Sequence, residues 1–144
     1  MSRVEPSPVG FRLDGELAVL QRFAGPSLLL ARAMLAYIFI VESYGKITNY
    51  QAVGGYMAQY GVAAALLPAV ILTELGGGLL VLLGLKTRWA ALALAGFCLL
   101  TALFFHMAEA VQFQKNVAMA GGFLALATGG AGPWSIDAWR SPPR

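Results

Sequence analysis

The chain has 144 residues, of which 58% are hydrophobic and only 12% are charged, and its formal net charge is +3. Water-soluble domains are usually about 45–50% apolar and about 25% charged, so a chain this short cannot hide its apolar surface in a soluble core. The composition predicts one small all-α integral membrane domain, and no basic patch suggests nucleic-acid binding.

Residues 1–25 are predicted to form an N-terminal cytoplasmic and interfacial segment. They mix acidic, basic and proline residues, and we expect no cleavable signal peptide there. Leucines recur at i, i+4 and i+7 from Leu13 to Leu20, a spacing that predicts an amphipathic helix over residues 13–24 on the membrane surface. Pro26 favours a break after this helix, and the alternative is the first turn of a longer first helix.

Four apolar segments follow, and they predict an antiparallel bundle of four transmembrane helices over residues 26–132. The segments cover about residues 27–41, 63–85, 89–105 and 116–128. Because about 20 residues are needed to cross about 30 Å of hydrocarbon, the first and fourth segments need flanking residues. Each span must satisfy its own backbone hydrogen bonds, which favours helices. Short loops between consecutive helices favour antiparallel packing.

The loop of residues 42–62, between the first two spans, is predicted to be structured. Tyr56, Met57 and Tyr60 lie at helical spacing, which indicates a short interfacial helix that caps the bundle. An ordered lid without a function is the alternative. After the fourth span, residues 133–144 are predicted to form a C-terminal cytoplasmic tail.

The distribution of basic residues predicts the orientation. If the N-terminus is cytoplasmic, the opposite side carries only Lys46 and Lys115. This asymmetry fits the excess of Lys and Arg in cytoplasmic loops, so we expect both termini in the cytoplasm. The basic residues on the predicted cytoplasmic side are Arg3, Arg12, Arg22, Lys86, Arg88, Arg140 and Arg144.

Arg32 and Glu74 are the two ionisable residues well inside the apolar segments. Each costs about 2.5–3.5 kcal/mol at mid-helix, so each needs a partner. At 1.5 Å per residue, Glu74 lies roughly 16 Å above the cytoplasmic end of the second span, and Arg32 roughly 9–13 Å above the start of the first. These depths allow a buried Arg32–Glu74 pair. Such a pair is either a structural clamp or a functional site that binds a polar group or relays protons.

A second polar set is predicted to collect in the opposite, outer leaflet. In an antiparallel bundle its members could line a cavity above Glu74 that opens to the periplasm. A lone histidine is more often an interfacial residue than a catalyst, and no ligand spacing suggests a metal. No catalytic residue and no self-contained redox centre is visible. The cluster consists of Glu42, Tyr44, Lys46, His106, Lys115 and Asn116.

Small residues predict where helices approach closely, because in lipid such contacts depend on van der Waals packing. The single cysteine, Cys98, lies in an apolar run and is predicted to be a buried hydrophobic residue. The predicted packing positions are Ala69, Thr73, Gly77 and Gly84 on the second helix, with a matching notch at Ala118 and Gly122 on the fourth.

Several of these stretches resemble the DoxX family of small bacterial proteins with four predicted transmembrane helices. The resemblance covers about residues 28–137 and rests on LLLARAMLAYIFIVESYGKI, ILTELGGGLLVLLGLKTRWAAL, ALFFH and QKNVAMAGGFLALATGGAGPWSID. The chain departs from the family at residues 42–45, where many members are more apolar. The resemblance implies that the recurring polar positions of the family are Arg32, Lys46, Glu74, His106 and Asn116.

The family takes its name from a subunit of a thiosulfate:quinone oxidoreductase. The resemblance therefore implies a bacterial inner-membrane protein that is an accessory subunit of a quinone-linked redox complex. It implies no intrinsic cofactor, a quinone or lipid as the candidate ligand, and other membrane subunits or a second copy as partners. The alternatives are a purely structural or assembly subunit of a larger complex and, third, a small transporter or lipid-binding module.

Overall fold

The computed structural model describes the backbone of residues 8–141 and the side chains of residue 19 and of residues 22–141. This part of the chain is all-helical, as predicted. A 3-10 turn, Ala64–Leu66, precedes α3. The helices are α1 (Pro8–Thr48), α2 (Tyr50–Gln59), α3 (Leu67–Leu83), α4 (Thr87–Phe105), α5 (Ala110–Gly129) and α6 (Ile136–Arg140).

The first helix is longer than the sequence predicts. α1 runs for 41 residues and contains Pro26 inside it, so the predicted break at Pro26 is wrong. A proline removes one backbone hydrogen bond, but membrane helices tolerate this where neighbouring groups or local adjustments satisfy the freed carbonyl. Residues 13–24 are helical but continuous with the first span. Most side chains of that segment lie outside the described residues, so its amphipathic placement on the membrane stays a prediction.

Within the described residues, three helical stretches are long and apolar enough to cross a membrane: Arg22–Thr48, Ala64–Leu83 and Thr87–Phe105. The fourth predicted span lies in α5, which has 20 residues but carries Gln112, Gln114, Lys115 and Asn116 in its first two turns. The count of four transmembrane helices, the antiparallel arrangement of the whole set and the orientation of the termini therefore stay predictions.

α1 and α3 pack against each other in antiparallel directions. A Cβ at Gly78 on α3 would lie 3.3 Å from Phe39 Cβ, and Gly84 lies beside Arg32, earlier on α1. Glu74, earlier on α3, reaches Lys46 near the end of α1. We call the end with Lys46 the cavity end and the end with Arg32 the arginine end.

The core lies between α1, α3, α4 and α5. The Phe39 ring packs edge-on against Phe123 at 5.4 Å and against Phe97 at 6.3 Å between ring centroids. Phe97 belongs to α4, but the buried side chains of α4 are small or medium in size, so the neighbouring helices approach closely. Cys98 on this face is fully buried, as its apolar neighbours predict.

The turn between α3 and α4 is fixed by the segment that was predicted to be a cytoplasmic tail. α3 ends at Gly84, which has a left-handed φ of 67°. The Asp137 carboxylate accepts hydrogen bonds from the backbone N–H of Lys86 at 2.7 Å and of Thr87 at 2.9 Å. Asp137 N–H in turn donates to the Gly84 carbonyl at 2.8 Å. The C-terminal segment thus satisfies N–H groups at the start of α4 that have no partner within the helix.

This arrangement predicts how stability depends on acid. Burial alone would raise the pKa of Asp137, but hydrogen bonds from Thr87 and Lys86 and the nearby Arg140 charge hold it below its ordinary value. The stabilisation is therefore fully present above the unfolded-state pKa, about 3.9, and is lost as the pH falls through the folded-state value. We expect Asp137→Asn to lower thermal stability in mild detergent at neutral pH, with a difference from wild type that shrinks below about pH 4. A difference that does not change with pH would contradict this.

Candidate functional site

A cavity of about 1070 Å³ occupies the cavity end of the bundle, and every helix from α1 to α5 contributes to its wall. Most of the wall is apolar, with contributions from Phe39, Met57, Val70, Phe97 and Met119. Pockets for small molecules usually measure about 300–1,000 Å³ and combine apolar walls with a few placed polar groups. The cavity has this character and is large enough for a ring system with part of a tail.

The central polar feature of the cavity is an ion pair between α1 and α3. Lys46 Nζ lies 3.0 Å from Glu74 Oε2 and 3.5 Å from Glu42 Oε2. Glu42 and Lys46 are one turn apart on α1, which places both on the face that meets α3. The Glu74 side chain is only 6% exposed. A carboxylate this deep in an apolar region requires a cation nearby, and Lys46 supplies it.

Two polar atoms near this pair keep unused hydrogen-bonding capacity. Within the described residues, Glu74 Oε2 and His106 Nδ1 are buried and have no hydrogen-bond partner. Glu74 Oε2 has the Lys46 ammonium at 3.0 Å as its ion-pair partner, whereas His106 Nδ1 is 3.8 Å from Glu109 Oε1, beyond hydrogen-bond distance. Because unsatisfied buried polar groups are costly, His106 Nδ1 indicates that the cavity accommodates a further polar group.

The structure does not bring Arg32 and Glu74 together, so the predicted pairing is wrong. Both side chains are buried, at 1% and 5% exposure, but Arg32 Nη2 donates to the Trp134 carbonyl at the arginine end. Arg32 is level with Gly84, ten residues from Glu74 along α3, or about 15 Å. The depth estimate took the start of the apolar run as the start of the helix. The sequence also predicts Lys46 to lie where the first helix gives way to the outer loop, whereas α1 continues to Thr48.

Five of the six residues in the predicted outer cluster do line the cavity: Glu42, Lys46, His106, Lys115 and Asn116. The Asn116 amide donates to the Gln112 carbonyl at 3.0 Å. Tyr44 does not contribute and is 70% exposed, because two residues along a helix turn a side chain to nearly the opposite face.

The predicted helical cap is present as α2, and it contributes to the cavity wall. Met57 on α2 is buried at 4% exposure. The Tyr56 ring stacks on Phe105 at 5.8 Å between centroids, and Tyr60 lies 5.3 Å from the same ring. This aromatic contact holds α2 against the end of α4.

The predicted packing positions do not all face the same neighbouring helix. A Cβ at Gly77 would lie 2.9 Å from Leu94 Cδ2 on α4, and one at Gly122 would lie 3.2 Å from Leu35 Cδ2 on α1. Gly122 therefore faces α1 rather than the α3 stripe. The remaining positions differ again: Ala69 and Thr73 line the cavity, Gly84 ends α3, and Ala118 is exposed. Gly78, which faces α1, lies on the adjoining face of α3 and is not among the predicted packing positions.

No group of three or more His, Cys, Asp and Glu side chains that could hold a metal ion occurs among the described residues.

The chain resembles known proteins over much of its length. The DoxX family model matches residues 27–107, a range that contains Glu42, Lys46, Glu74 and His106. The inner membrane protein YqjF of Escherichia coli (strain K12) is 46% identical over 123 residues, which cover 82% of this chain and 95% of that protein. The inner membrane protein YphA of the same organism is 33% identical over 122 residues, 76% of this chain and 87% of that protein. No solved structure matches the chain significantly.

Proposed function

We propose a ligand-binding function for this chain, which belongs to the DoxX family. It is an inner-membrane protein, like the relatives whose names state that location, and it binds a neutral quinone-like amphiphile in the cavity. Its place would be that of an accessory subunit in a quinone-linked redox complex. The observation that carries the proposal is the buried Lys46–Glu74 ion pair in a large cavity with mostly apolar walls.

The charges in the cavity favour a ligand whose polar head is uncharged. Lys46 and Lys115 balance Glu42 and Glu74 among the lining residues. An anionic or cationic head would leave one charge without a partner in a region where an isolated charge is expensive. A neutral head with hydrogen-bond acceptors leaves the existing pairs intact.

The residues present fit a quinone head. Its carbonyl oxygens accept hydrogen bonds, and Lys46, His106 and Asn116 offer N–H groups in the cavity wall. Glu74 would hold Lys46 in place, and Phe39, Phe97 and Met119 would pack against the ring. A bound quinone supplies the capacity to accept electrons and protons. The chain has one cysteine and one histidine, so a partner subunit would deliver the electrons.

The proposal is tested by titrating a short-chain benzoquinone into the protein in nanodiscs of a zwitterionic phospholipid, with isothermal calorimetry as the readout. Wild type is expected to bind saturably. Glu74→Gln removes the charge that holds Lys46 and is expected to weaken binding about tenfold, since a hydrogen bond to a charged group contributes about 1.5–3 kcal/mol. Tyr44→Phe, on the same helix but exposed, is the matched control and is expected to bind like wild type.

Other outcomes separate the alternatives. Folded wild-type protein without saturable quinone binding would contradict the proposal. A purely structural subunit predicts that Glu74→Gln lowers thermal stability without any quinone affinity to lose. A lipid-binding module predicts that an anionic phospholipid added to the nanodiscs displaces the quinone, whereas the balanced cavity charges predict no displacement.

A further inference from the structure

Three charged side chains lie in a row from the exposed surface of the cavity end to its interior. The exposed fractions of the Glu42, Lys46 and Glu74 side chains are 58%, 19% and 6%. Lys46 Nζ is 3.5 Å from the Glu42 carboxylate and 3.0 Å from the Glu74 carboxylate. One ammonium group therefore bridges an exposed carboxylate and a buried one.

We infer that Glu42, Lys46 and Glu74 form a proton path between water at the membrane surface and the head of the ligand in the cavity. The inference deepens the proposed function and rests on it for the identity of the proton's destination, the quinone-like head. The path as far as Glu74 is a property of the ligand-free protein and is tested there.

The transfer conserves protons and charge. A hydronium ion at the surface gives a proton to the Glu42 carboxylate and becomes water. An N–H bond of the Lys46 ammonium breaks as an O–H bond forms on Glu74, and the resulting amine takes the proton held by Glu42. The net change is one proton moved from surface water to Glu74, with Lys46 again an ammonium. Side chains within hydrogen-bond reach transfer protons readily, and low local dielectric strengthens their coupling.

Two other polar side chains close to Glu74, Ser43 and Cys98, are fully buried and do not reach the surface. The Ser43 hydroxyl donates to the Phe39 carbonyl at 2.6 Å within α1, and Cys98 is fully buried on α4. His106 Nδ1 lies 3.8 Å from Glu109 Oε1, so the carboxylate partner of His106 is Glu109 and not Glu74. The full set that faces Glu74 or shares its cavity is Glu42, Ser43, Lys46, Cys98, His106, Lys115 and Asn116.

The test follows the protonation of Glu74 after a rapid drop in pH, by time-resolved infrared spectroscopy of ligand-free protein in nanodiscs. The carboxylic acid band of Glu74 is assigned by its loss in Glu74→Gln. Glu42→Gln changes an exposed side chain and is expected to slow the appearance of this band about 100-fold, the lower range of what a positioned proton donor contributes. Glu109→Gln removes another exposed carboxylate at the same end and is expected to leave the rate unchanged.

A wild-type rate in Glu42→Gln would overturn the inference, because protons would then reach Glu74 through water in the cavity. So would a Glu74 that stays in one protonation state throughout the pH change. Since no quinone is present, a failed quinone titration together with slowed protonation in Glu42→Gln would count against the proposed function only.

Discussion

Replacement of Lys46 by methionine is expected to lower the free energy of unfolding by about 3–5 kcal/mol, because it leaves a buried carboxylate without its cation. Glu74 is 5% exposed, and Lys46 is its salt-bridge partner among the described residues. Methionine keeps most of the apolar stem that lysine packs against the wall, so the change isolates the loss of charge. Unfolding in mild detergent, by temperature or by added dodecyl sulfate, measures the difference.

Two further variants show whether the effect comes from the pair. The double variant Lys46→Met/Glu74→Gln is expected to recover most of the lost stability, because the remaining amide carries no charge. Lys115→Met removes an exposed cation from the same cavity and is expected to change stability by less than about 0.5 kcal/mol. If Lys46→Met costs no more than Lys115→Met, the ion pair is not what stabilises buried Glu74.

Alanine at Gly84 is expected to destabilise the protein by about 2–5 kcal/mol. A left-handed conformation costs a residue with a Cβ about 1–2 kcal/mol, and forcing atoms into a filled site adds about 1–3 kcal/mol. Gly84 has a φ of 67°, and a Cβ there would collide with Arg32 Nη1 and with Ser135 Cβ. The damage would spread to the hydrogen bond from Asp137 to the Gly84 carbonyl.

The matched control is Gly96→Ala on α4. A Cβ at Gly96 meets no atom within 4 Å, and the residue lies inside a helix. Alanine is therefore expected to stabilise α4 by about 0.5–1 kcal/mol. Equal and small effects at Gly84 and Gly96 would show that the contact between α1, α3 and the C-terminal segment is not a tight one.

The sequence predicts the class of fold and the general place of the site. Apolar runs of about 20 residues with few charges predict membrane helices, because a helix satisfies its backbone hydrogen bonds within the segment. The polar residues at the ends of the apolar runs also had to share one end of the bundle if neighbouring helices alternate in direction. Lys46, His106 and Asn116 all line the cavity, whereas the alternation of all the helices in direction stays a prediction.

The partner of Glu74 could not be found from the depth of each residue alone. Depth depends on where a helix starts, and α1 extends on both sides of its apolar run. The useful signal was the i, i+4 spacing of Glu42 and Lys46, which favours a continuing helix with both side chains on one face. Arg32 was a poor candidate because it lies about 15 Å from Glu74 along the helix axis.

The contacts of the C-terminal segment also could not be predicted from local sequence patterns. The sequence of α6 shows a short helix with Ser135 at its N-cap, which is a local feature. Its contacts with Gly84 and with the start of α4 join residues about fifty positions apart. Such long-range hydrogen bonds are set by tertiary packing, and no periodicity in the sequence encodes them.

The most direct test of the central claim is photolabelling with an azido-benzoquinone in nanodiscs, followed by peptide mapping. We predict labels on the cavity-lining parts of α1 and α5, residues 38–49 and 112–119, and their loss when unlabelled short-chain quinone is added in excess. Labels confined to lipid-facing positions or to the arginine end near Trp134, or labels that excess quinone does not reduce, would contradict a quinone site at Lys46 and Glu74.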